Sequence, residues 1–139
     1  MKEKIKADLG SKIINWYEKS PKRIYIDINP QDITETAKYF HNILRARFNI
    51  ASGMHTPKGF EILYHFTSDK FGIVFSIRVT LDKPEIESIA PILPAAEWIE
   101  REMWELLGIN FRGHPNLKRL LLADDWPEGK YPLRRDYKE

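Results

Sequence analysis

Apolar residues near the start of the chain recur first every three or four positions and then every second position. The first pattern predicts an amphipathic helix over residues 2–18. The second covers residues 23–28, where three isoleucines alternate with other side chains as in a half-buried strand. Asn29 and Pro30 then favour the start of a second helix, which we expect to end near Arg47.

Three further runs predict strands. Residues 48–56 give the weakest signal, because Gly53 and its polar neighbours also suit a turn. Residues 60–66 and 71–81 alternate between two faces, and residues 67–70 form a turn-prone link between them. These two runs predict an antiparallel hairpin with one aromatic-rich buried face. The order of elements predicts an α+β fold, in which helices pack on one face of an antiparallel or mixed sheet.

A third helix is expected from Pro94 to Leu107, with Gly108 as its C-cap. A helical wheel collects most of its apolar side chains in one arc that docks on the domain. Trp98 and Trp104 fall outside that arc, among the charged side chains. Two indoles on a charged face need cover, either from the chain's own C-terminal segment or from a partner protein.

The C-terminal segment lacks a convincing period. Its prolines and glycines exclude a long helix, yet its leucines and aromatic residues are too numerous for a free tail. We therefore expect two parts, an α+β domain over residues 1–108 and an extended partner-binding arm over residues 109–139.

Composition narrows the possible chemistry. The 139 residues include no cysteine, which excludes disulfides, thiolate-bound zinc, iron–sulfur clusters held by this chain and a cysteine nucleophile. Hydrophobic residues at 42% and charged residues at 30% are typical of a globular domain. The net charge of +2 is only weakly segregated, so we expect no nucleic-acid partner.

The sequence shows no targeting or membrane-spanning signal. No apolar run approaches the ~18 residues that cross a bilayer, and the lysine-rich start lacks the apolar stretch of a secretory signal. We expect a cytoplasmic chain, or a peripheral component of a membrane assembly.

An enzymatic alternative comes from the carboxylates around the third helix. Glu102, Glu105 and His114 are the candidate residues of a small metal-dependent hydrolase. The spacing argues against it, because Glu97, Arg101 and Glu105 match ordinary helix-surface pairs and no Glu-x-x-His unit exists. We expect no catalytic residue, metal or cofactor on this chain.

The C-terminal third carries a family signature. Residues 100–121 read EREMWELLGINFRGHPNLKRLL and resemble the signature E-R-E-x-x-[DE]-L-x-G-I-x-F-x-G-H-P-x-L-x-R-I-L of the 30-kDa subunit family of respiratory complex I. Residues 125–129 and 132–137 read DWPEG and PLRRDY, which look like the family's W-x-G-x-P-L-R-K-D-[FY] ending. Residues 91–98 are similar to the family's approach to the signature helix.

The resemblance implies a structural subunit in the peripheral arm of a complex I-like, ion-translocating oxidoreductase on the cytoplasmic side of the cell membrane. Candidate complexes are a membrane-bound [NiFe] hydrogenase, a related sulfur-reducing complex and an NADH:quinone oxidoreductase. The implied partners are a hydrogenase-like large subunit of the 49-kDa type, a small iron–sulfur subunit and, indirectly, membrane-arm subunits. Those partners, and not this chain, would hold iron–sulfur clusters and any NiFe centre.

The resemblance also implies the partner-interface residues. They are Trp98, Glu100, Arg101, Glu102, Trp104, Glu105, Phe111, His114, Arg119, Trp126, Arg134, Arg135, Asp136 and Tyr137. One departure bears on the type of complex: Lys130 and Tyr131 stand between Gly129 and Pro132, where the quinone-reducing branch has a single histidine. This spacing is more similar to the hydrogenase branch, and it leaves protons, quinone and sulfur compounds open as electron acceptors.

Overall fold

A five-stranded mixed sheet organises the molecule. The computed structural model describes residues 1–138. The sheet has the order β1-β2-β5-β4-β3, with β1 (Ile13–Ser20), β2 (Arg23–Ile28), β3 (Arg47–Thr56), β4 (Gly59–Ser68) and β5 (Ile73–Leu81). β2 and β5 are parallel, and the other neighbouring strands are antiparallel. A second, two-stranded parallel sheet joins β6 (Glu85–Glu87) to β7 (Asn110–Arg112).

The helices lie on one face of the large sheet. They are α1 (Lys2–Leu9), α2 (Ile33–Lys38) and α3 (Glu97–Leu107). Phe40, just after α2, packs its ring against Phe66 of β4 and Phe75 of β5, with ring centroids 5.3 and 5.2 Å apart. Because alternate residues of a strand point to one face, β4 and β5 line the core with a single set of apolar side chains. The predicted α+β class and the aromatic-rich hairpin are confirmed.

The predicted first helix is wrong beyond Leu9. The helix ends there, Gly10 adopts a φ of +53°, and residues 13–20 form β1, paired with β2. Ile13, Ile14 and Tyr17 fit a helical spacing, but branched and aromatic side chains also favour strands, and pairing with β2 decides between the two.

The second helix is shorter than predicted. A 3₁₀ turn (Pro30–Asp32) leads into α2, and a π-helical turn (Tyr39–Ile43) follows it. Arg45 then takes a left-handed φ of +55°, which ends the helix before Arg47. The weakly predicted strand over residues 48–56 is present as β3.

The third helix matches its prediction closely. A 3₁₀ turn (Pro94–Ala96) opens it, and Gly108 closes it in the left-handed conformation with φ +75°. After β7, residues 113–138 contain neither helix nor strand and fold back against α3. An extended arm is therefore not confirmed. The division at residue 108 stays a prediction, and β7, which lies beyond it, pairs with β6.

Candidate functional site

Three charged side chains of α3 are buried. Glu100, Arg101 and Glu105 are 0%, 6% and 4% exposed, respectively. The sequence had indicated surface pairs for Arg101 and Glu105, and that interpretation is wrong. Both side chains instead bind the backbone of residues 113–138, which we call the tail.

Glu105 holds one turn of the tail through its carboxylate. The backbone N–H groups of Leu120, Leu121 and Leu122 donate to its two oxygens at 3.0, 2.6 and 3.1 Å. Hydrogen bonds to an ionised acceptor are among the stronger ones in proteins, and here they replace the water that the carboxylate loses on burial.

Arg101 binds the same stretch through its carbonyl groups. Its Nε donates to the Lys118 carbonyl at 2.9 Å, and its Nη2 donates to the Arg119 carbonyl at 2.6 Å. The planar guanidinium fork suits two adjacent acceptors. Acid and base on successive turns of α3 thus fix the donors and acceptors of residues 118–122.

Glu100 faces the interior and lies beside β6. The Ser88 hydroxyl and the Ile89 N–H donate to its carboxylate, the latter at 3.0 Å. Burial raises the pKa of the Glu100 carboxyl above its ordinary value, although these two hydrogen bonds and nearby His114 act in the opposite direction.

His114 connects the start of the tail to α3. Its Nδ1 accepts the Asn116 N–H at 2.9 Å, and its Nε2 lies 2.9 Å from the Glu97 carbonyl. An Nδ1 that accepts leaves the proton on Nε2, so this geometry assigns the neutral Nε2–H tautomer. The imidazole is fully buried, 3.9 Å from Glu100.

Arg134 fastens the far end of the tail to the end of α3. Its Nε donates to the Leu107 carbonyl at 2.7 Å, and its guanidinium lies 4.4 Å from the Tyr131 ring centroid. The Leu133 N–H donates to the Leu106 carbonyl at 3.0 Å. A cation at the carboxyl end of a helix also complements the helix dipole.

The middle of the tail is held by its own side chains. Arg119 donates to the carbonyls of Ala123 and Trp126, and the Trp126 indole N–H donates to the Lys130 carbonyl at 2.8 Å. The Trp126 ring stacks on Tyr137 with centroids 6.4 Å apart. A cavity of about 300 Å³ lies between this loop and α3, with Trp104 in its wall.

The structure separates the residues of the family signature by their contacts. Six of them bind within the chain, either to the tail, from the tail or, for Glu100, to residues 88–89: Glu100, Arg101, Glu105, His114, Arg119 and Arg134. Phe111 is a core residue at 1% exposure. Trp104, Trp126 and Tyr137 are half-buried, whereas Arg135 and Asp136 are exposed. Contacts of any of these residues with a partner stay a prediction.

Trp98 remains largely uncovered. Its side chain is 67% exposed, and Leu121 and Leu133 of the tail are 63% and 57% exposed. The tail therefore covers part of Trp104 but leaves Trp98 to solvent. These exposed apolar side chains are the candidate anchors for a partner.

The hydrolase alternative gains no support from the geometry. Glu105 is occupied by backbone N–H groups, and His114 is bonded at both ring nitrogens. Glu102 lies apart, in a groove beside β3. Residues 1–138 contain no group of three or more histidine, aspartate or glutamate side chains placed to hold a metal ion.

Sequence reasoning missed the role of Gly53. A Cβ at this position of β3 would lie 2.9 Å from both Leu107 Cδ1 and Met103 Sδ of α3. The glycine that suggested a turn therefore lets α3 approach the sheet closely. A lone glycine in an alternating run is the signal for such an approach, but it does not say which element approaches.

A family model described as "Respiratory-chain NADH dehydrogenase, 30 Kd subunit" matches residues 26–139. The chain belongs to this family. The C subunit of the F(420)H(2) dehydrogenase of Methanosarcina mazei is 37% identical over 85% of this chain and 77% of its own length. The C subunit of the NADH-quinone oxidoreductase of Nocardioides sp. is 34% identical over 82% of this chain.

The chain spans only part of several relatives. It matches 48% of the Nocardioides protein. In Phocaeicola vulgatus it matches 16% of the C/D subunit of an NADH-quinone oxidoreductase, with 45% identity over 59% of this chain. The 30-kDa family is thus represented both in separate subunits and in a longer protein with a double subunit name.

Solved structures show the same fold. A trypsin-resistant fragment of Nqo5 superposes with a TM-score of 0.70 at 20% identity, covering 83% of this chain and 98% of the fragment. A chain of the membrane-bound sulfane sulfur reductase, an archaeal respiratory membrane complex, superposes with a TM-score of 0.80 at 22% identity. The latter match covers 99% of this chain and 85% of that one. No helix within residues 1–138 has the length and apolar character to cross a membrane.

Proposed function

We propose that this chain is a structural subunit that docks on the hydrogenase-like large subunit in the peripheral arm of a complex I-like membrane oxidoreductase. The observation that carries the proposal is the tail. Buried side chains of α3 fix residues 114–122, while Trp98, Leu121 and Leu133 remain exposed beside them. A rigid surface with uncovered apolar anchors favours docking, because little conformational entropy is lost on binding.

The names of the relatives support the choice of partner. The Phocaeicola relative carries the letters C and D together in the name of one chain. Sequences that occur in one polypeptide in some organisms commonly touch when they are separate. The protein that corresponds to the D part, which we take to be the hydrogenase-like large subunit, is therefore the first partner to seek, followed by the small iron–sulfur subunit.

Electron transfer belongs to the partners in this proposal. The chain has no cysteine to hold an iron–sulfur cluster, so the clusters and any NiFe centre are assigned to neighbouring subunits. The complex as a whole is the oxidoreductase, and this chain stabilises it from the cytoplasmic side of the membrane. The names of the relatives include F(420)H(2) and NADH, and a structural neighbour is a sulfur reductase.

Affinity purification from native membranes tests the proposal. A tagged full chain, extracted in mild detergent, should bring down a large subunit of the hydrogenase type in equal amount, identified by mass spectrometry. The matched control is an unrelated tagged protein of similar size. Recovery of the chain alone, from membranes in which the large subunit is present and intact, would overturn the proposal.

A further inference from the structure

A continuous apolar groove runs between β3 and the solvent side of α3. Its two halves have volumes of about 280 and 300 Å³ and share Ile50, Ile99 and Glu102 in their walls. Trp98 and Leu133 line its outer parts. Ile50 is 51% exposed, so the groove is open to solvent along its length.

The floor of the groove is the free edge of the sheet. β3 is the last strand in the order β1-β2-β5-β4-β3, and it pairs only with β4. Within residues 1–138, no backbone hydrogen bond outside this ladder involves residues 47–56. The outward N–H and C=O groups of β3 are thus available to a further strand.

The two edges of the sheet differ in a way that favours pairing at β3. The outer strand β1 has two register shifts and carries Glu18 and Lys19. β3 is ten residues long with one register shift, and Arg47 at its start is its one Lys, Arg, Asp or Glu residue. Bulges and charges are the usual protection of an exposed edge, and β3 has less of both.

The charge in the groove specifies part of the occupant. Glu102 is the one charged side chain in its lining. Among the described residues, no lysine, arginine or histidine nitrogen lies within 4.0 Å of its carboxylate. A half-buried carboxylate beside apolar walls is complementary to a segment that carries one cation between apolar side chains.

We infer that this groove binds an extended segment of the neighbouring large subunit, which adds to β3 as a sixth strand. Alternate apolar side chains of the segment fill the groove, and a lysine or arginine of the segment pairs with Glu102. Strand addition of this kind takes affinity from main-chain hydrogen bonds and specificity from alternate side chains. A second copy of this chain fits less well, because it would bring another Glu102 and no cation. The inference rests on the function proposed above.

Site-specific photo-crosslinking tests the occupant. The full chain with Ile50→p-benzoylphenylalanine is assembled into the native complex and irradiated, and the crosslinked peptides are identified by mass spectrometry. We expect one continuous large-subunit peptide that contains a lysine or arginine within about three residues of the crosslink. Phe71→p-benzoylphenylalanine is the matched control, because Phe71 is also 51% exposed but lies at the tip of the β4–β5 hairpin.

Glu102 variants test the charge. With the probe at position 50, Glu102→Lys should lower the crosslink yield at least five-fold, and Glu102→Gln should lower it less. Glu3→Lys, on an exposed position of α1, should leave the yield unchanged. Equal yields from all these variants would overturn the role of Glu102. Far-ultraviolet circular dichroism of each purified full chain confirms that the variants fold.

Hydrogen exchange tests the added strand. Peptides that cover residues 48–53 should exchange at least ten-fold more slowly in the complex than in the free chain, because their outward amides gain partners. An unchanged rate would overturn strand addition, as would a crosslink from position 50 to lipid or to another copy of this chain. Recovery of the large subunit with no crosslink from position 50 refutes the groove inference alone, whereas absence of the large subunit from the purification refutes the proposed function.

Discussion

Glu100 and Tyr64 are buried polar residues whose environments are unequal. Glu100 has two hydrogen-bond donors, from Ser88 and Ile89. The Tyr64 hydroxyl is buried with no hydrogen-bond partner in the described part of the chain, and its pKa is raised well above the ordinary value, by burial first and by Glu100 second. Both side chains keep their neutral forms more readily in the folded chain than in the unfolded one.

The pKa of Glu100 predicts how stability depends on pH. Because the folded chain holds this proton more tightly than the unfolded chain, ionisation of Glu100 lowers stability as pH rises from the ordinary glutamate pKa through the raised one. Glu100→Gln mimics the neutral form. Its free energy of unfolding, minus that of the wild type, should therefore increase with pH between pH 4 and pH 8, as measured by urea denaturation.

The control for this experiment is Glu3→Gln, which alters an exposed side chain of α1. Its difference from the wild type should be nearly constant over the same pH range. A difference for Glu100→Gln that decreases with pH would contradict the assigned direction of the pKa shift.

Tyr64→Phe should stabilise the chain. A buried hydroxyl without a partner costs about 1–3 kcal/mol of desolvation, and the phenylalanine ring fills the same space without that cost. We expect the free energy of unfolding to rise by about 1 kcal/mol, as measured by urea denaturation at pH 7. A loss of stability would show that the hydroxyl has a partner after all, such as an ordered water molecule.

The end of α3 and the tail form one structural unit. Gly108 ends the helix at a positive φ, and a Cβ there would lie 2.5 Å from Arg134 Nη2 and 2.7 Å from Tyr131 Cε2. The glycine therefore serves both the backbone turn and the close approach of the tail. The tail is fastened where the helix stops.

Gly108→Ala should release the far end of the tail. The backbone strain at a positive φ costs about 1 kcal/mol, and displacement of Arg134 from the Leu107 carbonyl costs roughly 1 kcal/mol more. Gly72→Ala is the matched control, since Gly72 has a φ of +65° and open space around its Cβ position. Gly108→Ala should be the less stable variant and the one in which residues 131–135 exchange amide hydrogens faster; equal behaviour of the two variants would contradict this attachment of the tail.

Elements with a local signal could be predicted from the sequence. The β4–β5 hairpin combines alternation with a turn, and α3 has a proline at its start and a glycine at its end. β1 was missed because the spacing of its isoleucines also fits a helix, and only pairing with β2 distinguishes the two. Local signals fail where a distant strand decides the conformation.

The site was harder to predict than the fold. The resemblance pointed to Glu100, Arg101 and Glu105, but a helical wheel treats charged residues as surface residues. Their partners are backbone groups of the tail and of residues 88–89, and irregular segments leave no periodic pattern to detect. The family signature is therefore in large part a record of contacts within this chain.

The whole molecule presents apolar anchors on the side where α3 and the tail meet. Trp98, Leu121 and Leu133 are each more than half exposed. Because these side chains make few contacts within the chain, their value lies in assembly rather than in folding. Arg134, in contrast, has intrachain bonds, so its loss should disturb the tail as well as any interface.

Trp98→Ala should separate assembly from stability. Loss of an exposed side chain should change the free energy of unfolding of the full chain by less than about 0.5 kcal/mol. Loss of a central aromatic anchor should weaken binding to the large subunit by about 2 kcal/mol, roughly thirty-fold in affinity. Phe71→Ala, which alters another exposed aromatic side chain, is the control and should leave binding unchanged. Equal binding of both variants would exclude Trp98 from the interface.

The buried charges of α3 also impose an order on biosynthesis. Arg101 and Glu105 leave the ribosome before residues 118–122, whose backbone groups satisfy them. Until those residues emerge, the two side chains stay hydrated, because burial of an unpaired charge costs several kcal/mol. The nascent chain therefore cannot finish packing α3 early. A translation product that stops before residue 118 keeps this helix partly unfolded and visible to chaperones and proteases, so incomplete copies are removed before they can compete for a place in the complex.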